Sequence, residues 1–167
     1  NGSISTDGTV TMVAEPSTPP TSITITLVTP NTLRVTRVGG NGARYLLVAR
    51  EGAAVNFTPV DGTDYVSFEN LNFYAGTAVD GSGNKILSEN TSGTTVYDVT
   101  GLAGGTNYYF SIFSFNGVSP LYNYNTTGTV STPNPQLTTA CTFPTAPVAG
   151  VHTSNTNTVT LNWTRTA

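Results

Sequence analysis

TGLAGGTNYYFSIFSFNG, residues 100–117, decides how this chain folds. A turn comes first: Leu102, the tight Gly104-Gly105 pair, then Tyr108 six residues after the leucine. This is the spacing of a tyrosine corner, in which a phenol ties the crossing between two β-sheets to nearby backbone. Beyond the turn, Tyr108, Phe110, Ile112 and Ser114 fall on one face at period two, as a strand facing a core requires. The stretch predicts a strand of a two-layer β-sandwich and contains no catalytic pair of groups.

Working outward, strands are expected at 22–28 (A), 32–38 (B), 44–50 (C), 94–99 (E), 108–116 (F) and 126–132 (G). Gly39-Gly40-Asn41-Gly42 makes the turn between B and C, where glycine and asparagine tolerate positive φ. Leu33, Val35, Tyr45, Leu47, Leu102, Tyr108, Phe110 and Ile112 are the expected core, and no amphipathic helical period of useful length occurs. Between C and E lies an enlarged insertion, 51–93, too long for a bare loop and rich in aromatics. Strands C and F also carry Leu46, Val48, Tyr109, Phe113 and Phe115 on the face that should look outward. Two readings stand. Either the insertion folds over that face and builds a second small core, bringing Phe57, Phe68 and Phe73 to Phe113, or it leaves an aromatic patch for a partner.

At 167 residues the chain is long enough for one well-buried domain. Charged residues are only 9%, and one lysine, Lys85, stands against 32 threonines, a mixture suited to half-exposed pleated surfaces of an extracellular or cell-surface protein. A net charge of −3 with scattered arginines offers no stripe for a phosphate backbone, so no nucleic-acid partner is expected. No run of eighteen apolar residues occurs and Asn1 begins no signal peptide, so the expectation is a soluble piece without direct membrane insertion, any export signal lying outside it. Cys141 has no internal partner and is either an isolated linker thiol or half of a bond to a cysteine elsewhere.

The chain also contains parts of a repeat. At an offset of 128 positions Pro16 falls on Pro144, Pro19 on Pro147, Ile23 on Val151, Thr32 on Thr160, Leu33 on Leu161, Val35 on Trp163, Thr36 on Thr164 and Arg37 on Arg165. GTVT at 8–11 returns as GTVS at 128–131. The expected organisation is a preceding repeat's tail at 1–15, a complete module at 16–140, and a linker with the next module's opening strands A and B at 141–167.

The segment at 100–117 resembles the F strand of fibronectin type III domains, and more narrowly the variant found in secreted and surface proteins of Bacteroidota. PVDGTDY at 59–65 and GSGNKIL at 81–87 are similar to the same stretch of that variant, so the resemblance covers about 44–130. It implies an immunoglobulin-like sandwich of the fibronectin type III kind. It also implies a tryptophan at the strand B core site, which Trp163 satisfies in the second copy and Val35 departs from in the first. For the parent protein it implies type IX secretion cargo, including large adhesins of gliding or attachment.

Chemistry is sparse. The one histidine, His152, lies in the opening strand of the next module and supports no nucleophilic triad. Asp61 and Asp64 are close in sequence but read as turn caps. Asp80, Ser82 and Asn84 begin like a calcium loop, yet Lys85 replaces the required glycine and Thr91 the bidentate glutamate. Zinc, catalytic residues and cofactors are not expected. Tyr122 and Tyr124 between F and G are the candidate contacts for a glycan or protein ligand, or else anchor strand G. The expected function is a non-catalytic spacer or adhesin repeat whose partners are its neighbouring repeats. The alternatives are an accessory, carbohydrate-contacting module of a secreted hydrolase and a strand-exchanging filament subunit.

Overall fold

A computed structural model describes residues 13–91, 93 and 95–142, and the backbone pairing of short strands between 148 and 164. GTVT at 8–11, His152 and the side chain of Trp163 lie outside the described residues.

Nine strands build the body: β1 (Ser22–Thr26), β2 (Leu33–Val38), β3 (Arg44–Glu51), β4 (Lys85–Thr91), β5 (Val96–Val99), β6 (Asn107–Asn116), β7 (Asn123–Tyr124), β8 (Thr129–Thr132) and β9 (Gln136–Leu137). One layer is β1-β2-β5 and the other β4-β3-β6-β8, all antiparallel within each layer. β8 also pairs in parallel with β1, Ile23 opposite Ser131 and Thr24 opposite Thr132, so the first and last long strands stitch the layers along one side. This is the A-B-E over C′-C-F-G order of an immunoglobulin-like sandwich. Further on, β10 (Val148–Ala149) pairs β13 (Trp163–Thr164) and β11 (Thr153–Asn155) pairs β12 (Thr158–Thr160), both antiparallel.

Tyr108 sits where the two layers cross. Its ring is fully buried and its phenol oxygen accepts a hydrogen bond from the Ala103 N–H at 2.9 Å, with Leu102 buried beneath. Gly101, at φ 62, permits the reversal and leaves room for the Asn72 carboxamide; a Cβ there would lie 1.9 Å from Asn72 Oδ1. Leu33, Val35, Tyr45, Leu47, Phe110 and Ile112 are all buried in one cluster between the layers. Tyr97, the cross-strand partner of Val35, is buried in the same cluster, a large ring beside the small side chain.

The insertion departs from the simple expectation in two ways. First, Lys85–Thr91 is a strand, so the irregular part is only 52–84. Its alternation was invisible because Ile86, Leu87, Ser88 and Glu89 are all buried, with a register shift opposite Leu47 and Val48. Second, Phe73 does not join the outer core. It turns inward, 5.1 Å from the Tyr108 ring, because two backbone hydrogen bonds, Thr100 N–H to the Leu71 carbonyl and Phe73 N–H to the Thr100 carbonyl, hold this stretch along the end of β5.

The outer core itself is real. Leu46, Val48, Ile86, Phe113 and Phe115 are buried under Tyr65, with Phe57 and Phe68 packed against them and Phe57 6.4 Å from Phe113. Tyr109 remains half-buried. Glu89 is carried into this layer by β4, with Arg44 Nη2 3.1 Å from its Oε1. Burial raises its pKa above the ordinary value; the Arg44 cation opposes this, and Asp64 and Glu69 add to it.

Two outcomes follow from these two buried groups. Tyr108→Phe leaves the Ala103 N–H without its acceptor and is expected to cost about 1–3 kcal/mol in urea unfolding; an unchanged midpoint would show that the corner does not hold the crossing. For Glu89, the folded chain binds more protons than the unfolded chain above pH 4.5, so stability falls as pH rises from there through the folded value. Glu89→Gln removes that fall. Melting temperatures taken from about pH 4 to about pH 7 should therefore shift in favour of the variant as pH increases, and the opposite slope would refute the assignment.

Candidate functional site

Tyr122 and Tyr124 are buried on the side where they would anchor the strand that follows. They are 4% and 1% exposed, because β7 returns alongside the end of β6 and lays both rings on Phe115, at 5.4 and 4.6 Å. Tyr124 donates to the Thr63 carbonyl, and burial first, then Glu89, raises its pKa. The two rings thus close the outer core from the F–G side.

The carboxylates weighed for chemistry are engaged in backbone geometry. Asp61 Oδ1 accepts the Tyr124 N–H at 2.8 Å and Asp64 Oδ1 the Val66 N–H at 3.0 Å. Asp80 accepts the Ser82 and Asn84 N–H groups on Oδ1 and the Asn84 carboxamide on Oδ2 at 2.7 Å, so Asp80, Ser82 and Asn84 form a hairpin turn ahead of β4. Cys141 is exposed, its thiol beside Gly104, where an added Cβ would approach Sγ to 3.0 Å.

Two clusters were missed in the sequence. One is a pair of clasps on the incoming and outgoing chain. Asn116, Asn123 and Asn125 donate from their carboxamides to the Ala14, Val13 and Pro16 carbonyls at 2.7, 2.8 and 2.7 Å. Asn41 adds three more bonds, accepting from Thr18 N–H on its side chain, donating its N–H to the Thr18 carbonyl, and donating from its carboxamide to Ser17 Oγ. Pro16 and Pro20 are buried. At the other end Thr138 is buried, donating from Oγ1 to the Ala103 carbonyl at 2.6 Å and accepting the Thr106 N–H, while β9 pairs with Asn107 and Tyr108. The clasps sit at opposite ends of β6, which at ten residues spans about 30 Å. The alternate asparagines of NYN at 123–125 were the available signal.

The other cluster is a cleft of about 500 Å³ beside the corner, lined by Glu51, Gly52, Tyr74, Ser82, Gly83 and Lys85. Tyr74 Oη lies 3.0 and 3.2 Å from the two Glu51 oxygens, and Lys85 Nζ donates to the Phe73 carbonyl at 2.8 Å. The neighbouring Tyr108 phenol, then burial, then Glu51 raise the Tyr74 pKa, so the phenol stays protonated and donates to Glu51. The signal here was the chain's one lysine.

No family model and no curated protein matches the chain. Among solved structures, it is similar to a fibronectin type III domain of the human collagen α-1(XX) chain (12% identity, TM-score 0.45, covering 77% of this chain and 91% of that one). It is also similar to another such domain of human collagen XX (20% identity, TM-score 0.39, 71% and 100%) and to a computationally redesigned β-sandwich protein (21% identity, TM-score 0.40, 67% and 91%). These likenesses are distant, and the strand order and the tyrosine corner carry the assignment: the body of this chain is a fibronectin type III-like β-sandwich with an enlarged insertion between its third and fifth strands.

Proposed function

We propose that this chain is a non-catalytic spacer repeat of a large exported bacterial surface protein, an adhesin of attachment or gliding, and that its work is to hold a fixed length between neighbours. The observation that supports it is the pair of clasps at opposite ends of β6. A chain that comes in at one end of its longest strand and leaves at the other adds the strand's length to every repeat. The side-chain bonds to residues 13–18 remove the swivel that a solvated linker would have. The parallel β1–β8 pair supports the same role: a pull on the two ends loads its hydrogen bonds along the strands and together, instead of peeling them one at a time.

The cell-surface setting is supported by composition alone, a threonine-rich exterior with 9% charged residues. The carboxylates weighed for catalysis are each engaged by a backbone N–H, Asp64 in its own turn and Asp61 across to β7, which favours the non-catalytic reading over a hydrolytic one.

Two consecutive copies of residues 13–140, studied by small-angle X-ray scattering, test the spacer reading. The expected particle is extended and stiff, with module centres at least about 30 Å apart, and the combined Asn116→Ala, Asn123→Ala and Asn125→Ala variant becomes flexible. A wild-type pair folded back side by side, or one as flexible as the variant, would end the proposal.

A further inference from the structure

We propose that the cleft between Glu51 and Lys85 binds a pyranose unit of a glycan. The two charged groups face one cleft and make no ion pair with each other among the described residues; each is positioned by a third group instead. Tyr74 holds Glu51 by its hydroxyl, and the Phe73 carbonyl holds Lys85, whose Nζ lies 4.6 Å over the Phe73 ring. With one ammonium hydrogen engaged, two donors remain on one wall. With one phenol bound, the carboxylate keeps acceptor sites on the other.

The ligand class follows from the two opposite charges and the aromatic ring beside them. A simple anion would gain Lys85 and be repelled by Glu51, and a simple cation the reverse. A purely apolar ligand would desolvate both charges with nothing in return. A sugar offers neighbouring hydroxyls that accept from Lys85 and donate to Glu51. Its apolar C–H face matches an aromatic side chain left 54% exposed, Tyr74. The volume, about 500 Å³, lies within the range of small-ligand sites. Gly52 and Gly83, at φ 72 and 85, line the cleft without side chains, and an added Cβ at either would meet nothing within 4 Å, so no neighbouring group crowds a ring there. This site is independent of the buried Tyr122 and Tyr124 and of the spacer role.

The test begins with the chain on an array of plant, fungal and bacterial polysaccharides, followed by calorimetry with the hexasaccharide of the preferred backbone. Binding is expected, and Tyr74→Ala, Glu51→Gln and Lys85→Met should each weaken it by about ten-fold or more. Val118→Ala, at an exposed residue outside the cleft, should leave it unchanged. Tyr74→Phe keeps the ring and loses the grip on Glu51, so it should bind more weakly than wild type and more tightly than Tyr74→Ala, with melting temperatures showing that every variant is folded. No bound glycan, binding indifferent to Lys85→Met and Tyr74→Phe in folded protein, or preference for a free zwitterionic amino acid would overturn the proposal.

Discussion

The hydrogen bond from the Ala103 N–H to the buried Tyr108 phenol fixes where the chain leaves one sheet and starts the strand on which the other is assembled. β6 is paired along its length by β3, and in turn by β9, β8 and β7 on its other side. A slip of one residue at the corner would exchange the inner and outer faces of β6, sending Phe110 and Ile112 outward. The phenol resists that slip because its oxygen reaches the Ala103 N–H in one register only. Phe73 adds a second restraint, since its ring packs on the same tyrosine from the insertion.

The two layers differ in how they meet solvent, and the difference explains which strands were readable. β2 and β5 alternate buried with exposed or half-buried positions, the mark of a sheet with one wet face. Tyr45 to Ala49 in β3 and Phe110 to Phe115 in β6 are buried without a break, because the insertion covers their second face. The apolar residues Leu46, Val48, Phe113 and Phe115 on that face called for either a cover or a partner, and the insertion supplies the cover. β4 did not announce itself. A buried Glu89 and Ser88 within KILSENT break every simple strand pattern, and only the pairing with β3 shows why they are tolerated.

The corner, the alternating core positions and the turn roles of Asp64 and Asp80 were legible because each depends on short-range spacing, whereas Asp61 reaches across the chain to the Tyr124 N–H. Phe73 was misplaced and Tyr122 and Tyr124 were left between two roles, all aromatic residues outside the long strands. An aromatic in a loop has the same signature whether it plugs a core or meets a partner, and what decides is the backbone that aims it. For Phe73 that is the bridge to Thr100, and for Tyr122 and Tyr124 the short β7. The cleft and clasps left only faint signals for a related reason, since Glu51 and Lys85, like Asn125 and Pro16, come from distant parts of the chain.

Proline is the residue that sequence reading credits with stiffening a linker, yet here the prolines are only half of the device. Pro16 and Pro20 limit the backbone and are themselves buried, while asparagines supply the bonds that hold carbonyls of the incoming segment. Restricting φ narrows the shapes a free linker can take but does not choose among directions. Side chains anchored on β6 and β7 do choose, because they tie the segment to the most extensively paired strand in the molecule. The axis of the incoming chain is thereby set by the same strand whose start the tyrosine corner fixes, so a change in register at Tyr108 would be felt as a change in direction at Pro16.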